Sequence, residues 1–262
     1  MHSIERGSAL RYLLTCLALL GLLAPATTTA IDDPSLDYRT LETPHFRVHY
    51  YRDVEALARR TARLAEQAHQ VLVPTYATDP TSKTHIVVND KVDVANGSAN
   101  VLGRNVIRIY GMPPSPDGVL GYYDDWLRIL VFHEYVHILH METSNPLFEA
   151  LNLFLGETLH PNAVLPSWYV EGIAVHSESE ETGMGRINSS LFRMYLRTAV
   201  LDDAFMSLSQ VTGRPTSWPM GNAPYLYGAF FIDYVTDRFG NEFVREFNHN
   251  YGDRIVPFML NA

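Results

Sequence analysis

The sequence predicts an α+β protein: a small N-terminal lobe that contains strands, then a mainly helical lobe, with an active-site cleft between them. Three observations carry that reading. Runs rich in aromatic and β-branched residues all fall before residue 111. From Asp124 onward, apolar residues recur at helical spacing instead. Between the two regions, Pro113–Gly121 holds three prolines and two glycines, which interrupt any regular element. Strands first and helices afterwards is the α+β order, and the expected division is residues 1–30, 31–120 and 121–262.

Residues 1–30 read as a secretory signal peptide, with Arg6 and Arg11 before an apolar run from Tyr12 to Ala24 and small residues through Ala30. The run is shorter than the roughly 20 residues that span a bilayer. Export to the periplasm or cell envelope, or secretion, is the expectation. The one cysteine, Cys16, lies inside this segment, so no intramolecular disulfide is available. At 47% hydrophobic and 19% charged, the chain has the composition of a folded globular protein and not of a disordered one. A net charge of −9 excludes a nucleic-acid partner, which needs clustered Lys and Arg.

Beyond the leader, His45–Tyr51 reads as a strand. Asp53–Leu72 carries Leu57, Ala58, Ala62, Leu64, Ala65 and Ala68 at helical spacing, with Asp53 as its N-cap. Thr84–Val88 and Val106–Tyr110 read as two more strands, the second after a loop holding Asn96-Gly97 and Gly103. Helices are expected over Asp124–Met141, Trp168–Ser177, Ser190–Leu201 and Tyr225–Phe239. The apolar segment Asn145–Pro166, with Leu147, Phe148, Leu151, Leu153, Phe154 and Leu155, reads first as a core helix and second as a cleft lid or membrane-facing hairpin.

The chemistry lies in His133-Glu134-Tyr135-Val136-His137, an HExxH sequence on an expected helix. Positions i and i+4 lie about 40° apart on one face, one turn apart, so both imidazoles can converge on a Zn²⁺ ion. Glu134 adjoins the first ligand and can act as general base toward a metal-activated water. A catalytic zinc needs a third protein ligand. His140 shares the stripe, but seven residues put its backbone about 10 Å from that of His133, so it reads as a packing residue.

HExxH followed by Trp168-Tyr-Val-Glu171-Gly-Ile-Ala174, a WxxEGxA pattern, resembles the gluzincin metallopeptidases, the class of thermolysin-like and aminopeptidase-N-like enzymes. The resemblance implies that Glu171 is the third zinc ligand. The spacer Ile138–Val170 is longer than in the aminopeptidase-N-like branch. Thermolysin-like enzymes place an Asp four residues after the ligand Glu to orient a histidine; Val175 stands there, so another group must fill that role. Tyr225-Leu-Tyr-Gly228 is similar to the YxxG segment of the aminopeptidase-N-like branch, which implies that the Tyr225 hydroxyl stabilises the oxyanion. The alternative is that Tyr225 and Tyr227 simply pack in an aromatic-rich helix. The opening TPHFRVHYY looks like that of bacterial peptidase-MA-like domains, which often precede a β-propeller, so a propeller beyond Ala262 is the implied partner domain.

Together these features give the expectation of a zinc-dependent peptidase acting on a peptide or protein substrate. An exposed edge strand, with Val106–Tyr110 as the candidate, would hold that substrate by main-chain pairing. The alternative is an inactive gluzincin-like binding module of the cell envelope. Membrane association is not favoured.

Overall fold

In the computed structural model, residues 33, 35–116, 120–213 and 215–254 are described. The expected leader and the C-terminal residues 255–262 lie outside them. The described residues from Asp37 onward form one compact unit. The change from strands to helices near residue 120 falls inside that unit.

Five strands form one sheet in the order β1-β2-β3-β5-β4. They are β1 (Tyr38–Glu42), β2 (Phe46–Tyr51), β3 (Thr84–Asn89), β4 (Ala95–Asn100) and β5 (Val106–Gly111). The centre is parallel, β2 with β3 and β3 with β5. Both edges are antiparallel, β1 on β2 and β4 on β5. The parallel centre needs a crossover, and helix α1 (Glu55–Tyr76) supplies it between β2 and β3. Its start differs from expectation: Asp53 lies in a 3₁₀ turn, Arg52–Val54, and Val54 is the N-cap without a side-chain hydrogen bond.

The expected strands at 45–51, 84–88 and 106–110 are present within a residue or two. Two strands were not anticipated, β1 and β4. The second changes the functional picture, because β5 lies between β3 and β4 and the outer strand is β4. Val106–Tyr110 is therefore not the edge expected to hold a peptide.

Six helices follow: α2 (Trp126–Glu142), α3 (Pro146–Leu155), α4 (Ser167–Thr182), α5 (Ser190–Leu201), α6 (Ala223–Phe239) and α7 (Glu242–Gly252). Helix α2 is capped by the Asp125 carboxylate, which accepts from Arg128 N at 3.1 Å. From Ile129 to His140 every residue of α2 is buried, as befits a helix apolar on all sides. It packs against α1, α4 and β4.

Helices α4 and α6 meet at two glycines. A Cβ on Gly172 would lie 2.6 Å from the Gly228 carbonyl carbon, and one on Gly228 would collide with the Trp168 carbonyl. This backbone approach fixes Glu171 and Tyr225, which flank it, on the side of α2. The expected burial of the segment around α3 is overturned. Leu147, Leu151, Leu153, Phe154 and Leu155 are all exposed, and Asn152 is the buried residue of that helix. Among the described residues no helix is long and apolar enough to cross a membrane.

Candidate metal centre

The two HExxH histidines face each other across one helical turn, with Nε2 atoms 3.2 Å apart. Helix α4 brings Glu171 Oε2 to 3.3 Å from His133 Nε2 and 3.4 Å from His137 Nε2. Donors around a tetrahedral Zn²⁺ at about 2.0–2.1 Å are spaced by about 3.3–3.4 Å. The three atoms therefore already have the separations that such an ion imposes, and three protein ligands leave a fourth position open. The residues fit a metal by geometry and by donor type.

What orients His133 is Glu178, whose Oε2 lies 2.9 Å from His133 Nδ1. A proton on Nδ1 donated to this carboxylate leaves the Nε2 lone pair facing Glu171 and His137, as a metal ligand requires. Glu178 is fully buried, and its other oxygen accepts from Arg186 N at 3.3 Å. It occupies the position left open by Val175. The spacing Glu171–Glu178 is seven residues, two turns along one face of α4, and that periodicity was the available signal for it. His137 Nδ1 is buried without a hydrogen-bond partner.

Charge in the cluster is arranged to attract a cation. Burial would raise the Glu171 carboxyl, but hydrogen bonds from His133 and His137 override it and hold the group well below the usual carboxylate range. Burial likewise pulls His133 down, yet its bonds to Glu171 and Glu178 outweigh that and lift it to about 9. Glu134, also buried, is pushed upward by desolvation against the opposing pull of both histidines.

Around the cluster opens a cleft of about 790 Å³, lined on one side by Ala95–Ala99 of β4 and on the other by His133, Glu134, His137, Glu171, Arg186 and Tyr225. Edge strand β4 therefore faces the two histidines and Glu171 across the cleft. Gly97 marks the closest approach: a Cβ there would lie 2.6 Å from Glu134 Oε1. Arg186, absent from the sequence reading, is buried beside Glu178, with Nε 3.6 Å from Oε1. Its Nε and Nη1 have no hydrogen-bond partner.

Tyr225 stacks on His133 with ring centroids 6.0 Å apart, and the Arg186 guanidinium lies 5.0 Å from the same ring. Burial, and then the Glu171 charge, raise its hydroxyl far above the usual phenol range. Tyr227 points elsewhere, into a core cluster with Phe192, Val211 and Leu226. His140 is a packing residue: its ring nitrogens lie 3.0 Å from Asn248 Oδ1 and 3.2 Å from the Asn162 carbonyl, and burial lowers it to about 4.

No family model matches the chain. A protein of Treponema pallidum (strain Nichols), described as uncharacterized, is 28% identical over 188 residues. The match covers 71% of this chain but 16% of the relative, so the chain corresponds to a small part of that longer protein.

Proposed function

We propose that the protein is a zinc-dependent peptidase of gluzincin type. The observation that carries this reading is the His133–His137–Glu171 trio at tetrahedral spacing, its histidines buried and Glu171 half-buried, with Glu134 against Gly97 of edge strand β4. Zn²⁺ held by these three residues supplies Lewis acidity toward a water and a carbonyl oxygen.

The remaining work belongs to side chains. Edge strand β4 pairs with an extended peptide main chain, and the absence of a side chain at Gly97 lets the strand itself lie against Glu134, which brings the paired peptide close to the trio. Glu134 accepts the proton of the attacking water and returns it to the leaving amine. Its burial suits the exchange, since a carboxylate desolvated this way is a stronger base than one in water. Tyr225 lines the same cleft and offers a hydrogen bond to a substrate oxygen, with its hydroxyl assigned to the developing oxyanion, and the Arg186 guanidinium lies beneath its ring. Glu178 keeps His133 in the tautomer that binds metal. The leader reading places this activity outside the cytoplasm.

The test pairs metal analysis with cleavage of a mixed-peptide library. Glu134→Gln is expected to keep its zinc and lose turnover, by about 10²–10⁴-fold for a general base. Glu171→Ala is expected to lose most of the zinc. Unchanged turnover in Glu134→Gln refutes the mechanism, and metal without cleavage in the wild type favours a binding module.

A further inference from the structure

A second group of donors lies behind the catalytic helix. Glu142 ends α2, and Glu157 and His160 stand in the loop that follows α3; one ligand atom from each lies within 4.8 Å of the others. They line a cavity of about 610 Å³, together with Glu149 and Asp79. The His160 and Glu142 side chains are 3% and 15% exposed, so the group is not a solvated acidic patch.

His160 gives the independent pointer to a ligand. Its Nδ1 lies 3.2 Å from the Met141 carbonyl and 3.9 Å from Glu142 Oε1. A carbonyl can only accept, so Nδ1 carries the proton and Nε2 presents a lone pair. That Nε2 is buried and has no hydrogen-bond partner. An unpaired buried acceptor is costly, and an imidazole held at Nδ1–H by a backbone carbonyl is the usual state of a metal-binding histidine. Burial, helped by the charges of Glu157 and Glu149, pushes the Glu142 carboxyl up against the opposing pull of His160 and a hydrogen bond from Asn105.

The loop is also fixed in advance. The buried Asn152 side chain accepts from Thr158 N and Leu159 N at 3.2 and 2.9 Å and donates to the Leu159 carbonyl at 3.1 Å. Gly103 N donates to the Glu157 carbonyl at 2.5 Å. Glu157 and His160 are thus held at both backbone and cavity. A third grouping, His176–Glu180–Asp233, lacks these features, because His176 Nε2 already pairs with Thr236 Oγ1 at 2.9 Å and Glu180 is exposed.

We propose that Glu142, Glu157 and His160 form a second cation site, for a divalent transition metal of the zinc class, which ties the end of the HExxH helix to the loop behind α3. An imidazole in the donor set selects this class over calcium or magnesium, which take oxygen ligands. Donors up to 4.8 Å apart are wider than the catalytic trio, so the two carboxylates close inward on binding, Glu142 swinging from beside Nδ1 toward the free Nε2. The bridge between residues 142 and 157 would staple the base of α3. It does not depend on the peptidase reading.

The experiment is a Zn²⁺ titration of the chelator-treated full chain. Wild type is expected to bind two equivalents, Glu157→Gln/His160→Gln one, and His133→Ala/His137→Ala one. In the last variant, zinc at ten times its Kd should slow proteolysis around α3 about tenfold, and adding Glu157→Gln should abolish that protection. If Glu157→Gln/His160→Gln binds as many equivalents as wild type, the proposal falls. It falls equally if wild type binds a single equivalent and His133→Ala/His137→Ala loses it. Should His133→Ala/His137→Ala fail to fold, Glu157→Gln alone in the wild-type background decides by the same count.

Discussion

Helices α2 and α3 follow each other in the chain, and both are built mainly of apolar residues, yet they end in opposite surroundings. Around α2 stand α1, α4 and β4, so that even His133, Glu134, His137 and His140 are buried. Around α3 there is little: Leu153 and Phe154 are 82% and 87% exposed, while its one buried residue is the polar Asn152. In α2 the polar groups are inside, and burial and neighbouring charges shift the acidity of His133, Glu134 and His140. In α3 the apolar groups are outside and the polar one fastens a loop. Apolar content therefore does not determine burial. What covers a helix does, and that is a property of elements far away in sequence. The contrast also assigns roles: function should be sensitive to what touches α2 and insensitive to the outer face of α3.

The largest effect is expected where α6 lays a side chain on α2. Tyr225 stacks on His133 and lines the cleft, whereas Tyr227 sits in a core cluster. If the Tyr225 hydroxyl meets the oxyanion, Tyr225→Phe should keep fold and zinc and lose about 10²–10³ in kcat, with KM little changed. Tyr227→Phe should leave kcat within about twofold, its hydroxyl being only a 3.4 Å acceptor for Met206 N. Steady-state kinetics on both variants checks this. Equal losses, or a loss in KM alone for Tyr225→Phe, would remove the oxyanion role and return Tyr225 to packing.

A smaller effect is expected one layer further from the reaction. Glu178→Gln preserves shape but weakens the partner of His133 Nδ1 and leaves Arg186 beside an uncharged amide. Loss of such a metal-orienting carboxylate typically costs about 10–100-fold in metal affinity or activity. Zinc affinity measured by competition with a chelator should fall within that range, and Glu178→Asp should recover part of it. Unaltered affinity would mean that His133 is held by the rest of the helix and not by this bond.

Legibility in the sequence followed the physics of each feature. HExxH was readable because two side chains that converge one helical turn apart must sit at i and i+4. The strands Phe46–Tyr51, Thr84–Asn89 and Val106–Gly111 were readable because aromatic and β-branched residues fit a pleated, half-buried surface. Strand β4 was not, since Ala-Asn-Gly-Ser-Ala-Asn has no such preference and becomes a strand only by pairing with β5. Its composition has a reason in the site, where Gly97 makes room for Glu134. Glu171 came from resemblance and not from spacing, because a ligand on a second helix has no fixed distance in sequence. Arg186 and Glu178 were missed for the same cause: their meaning depends on which elements the fold brings together. The burial expected for α3 failed because an apolar run carries no information about its cover.

The smallest effect should come from α3, and its smallness is the point. Leu153→Ser/Phe154→Ser alters two side chains that touch almost nothing, and surface changes of this kind usually stay within about 0.5 kcal/mol each. The double variant should therefore unfold within a few degrees of wild type, bind the same amount of zinc and cleave peptides at the same rate. Truncating a buried apolar side chain, by contrast, typically costs about 2–5 kcal/mol. A destabilisation of that size, measured by urea unfolding on the full chain, would show that α3 is covered in solution and that the contrast with α2 is overdrawn. The concentration dependence of the loss then says by what. A cost that disappears on dilution to a monomer places the cover in another copy of the chain, and one that persists places it within the same chain.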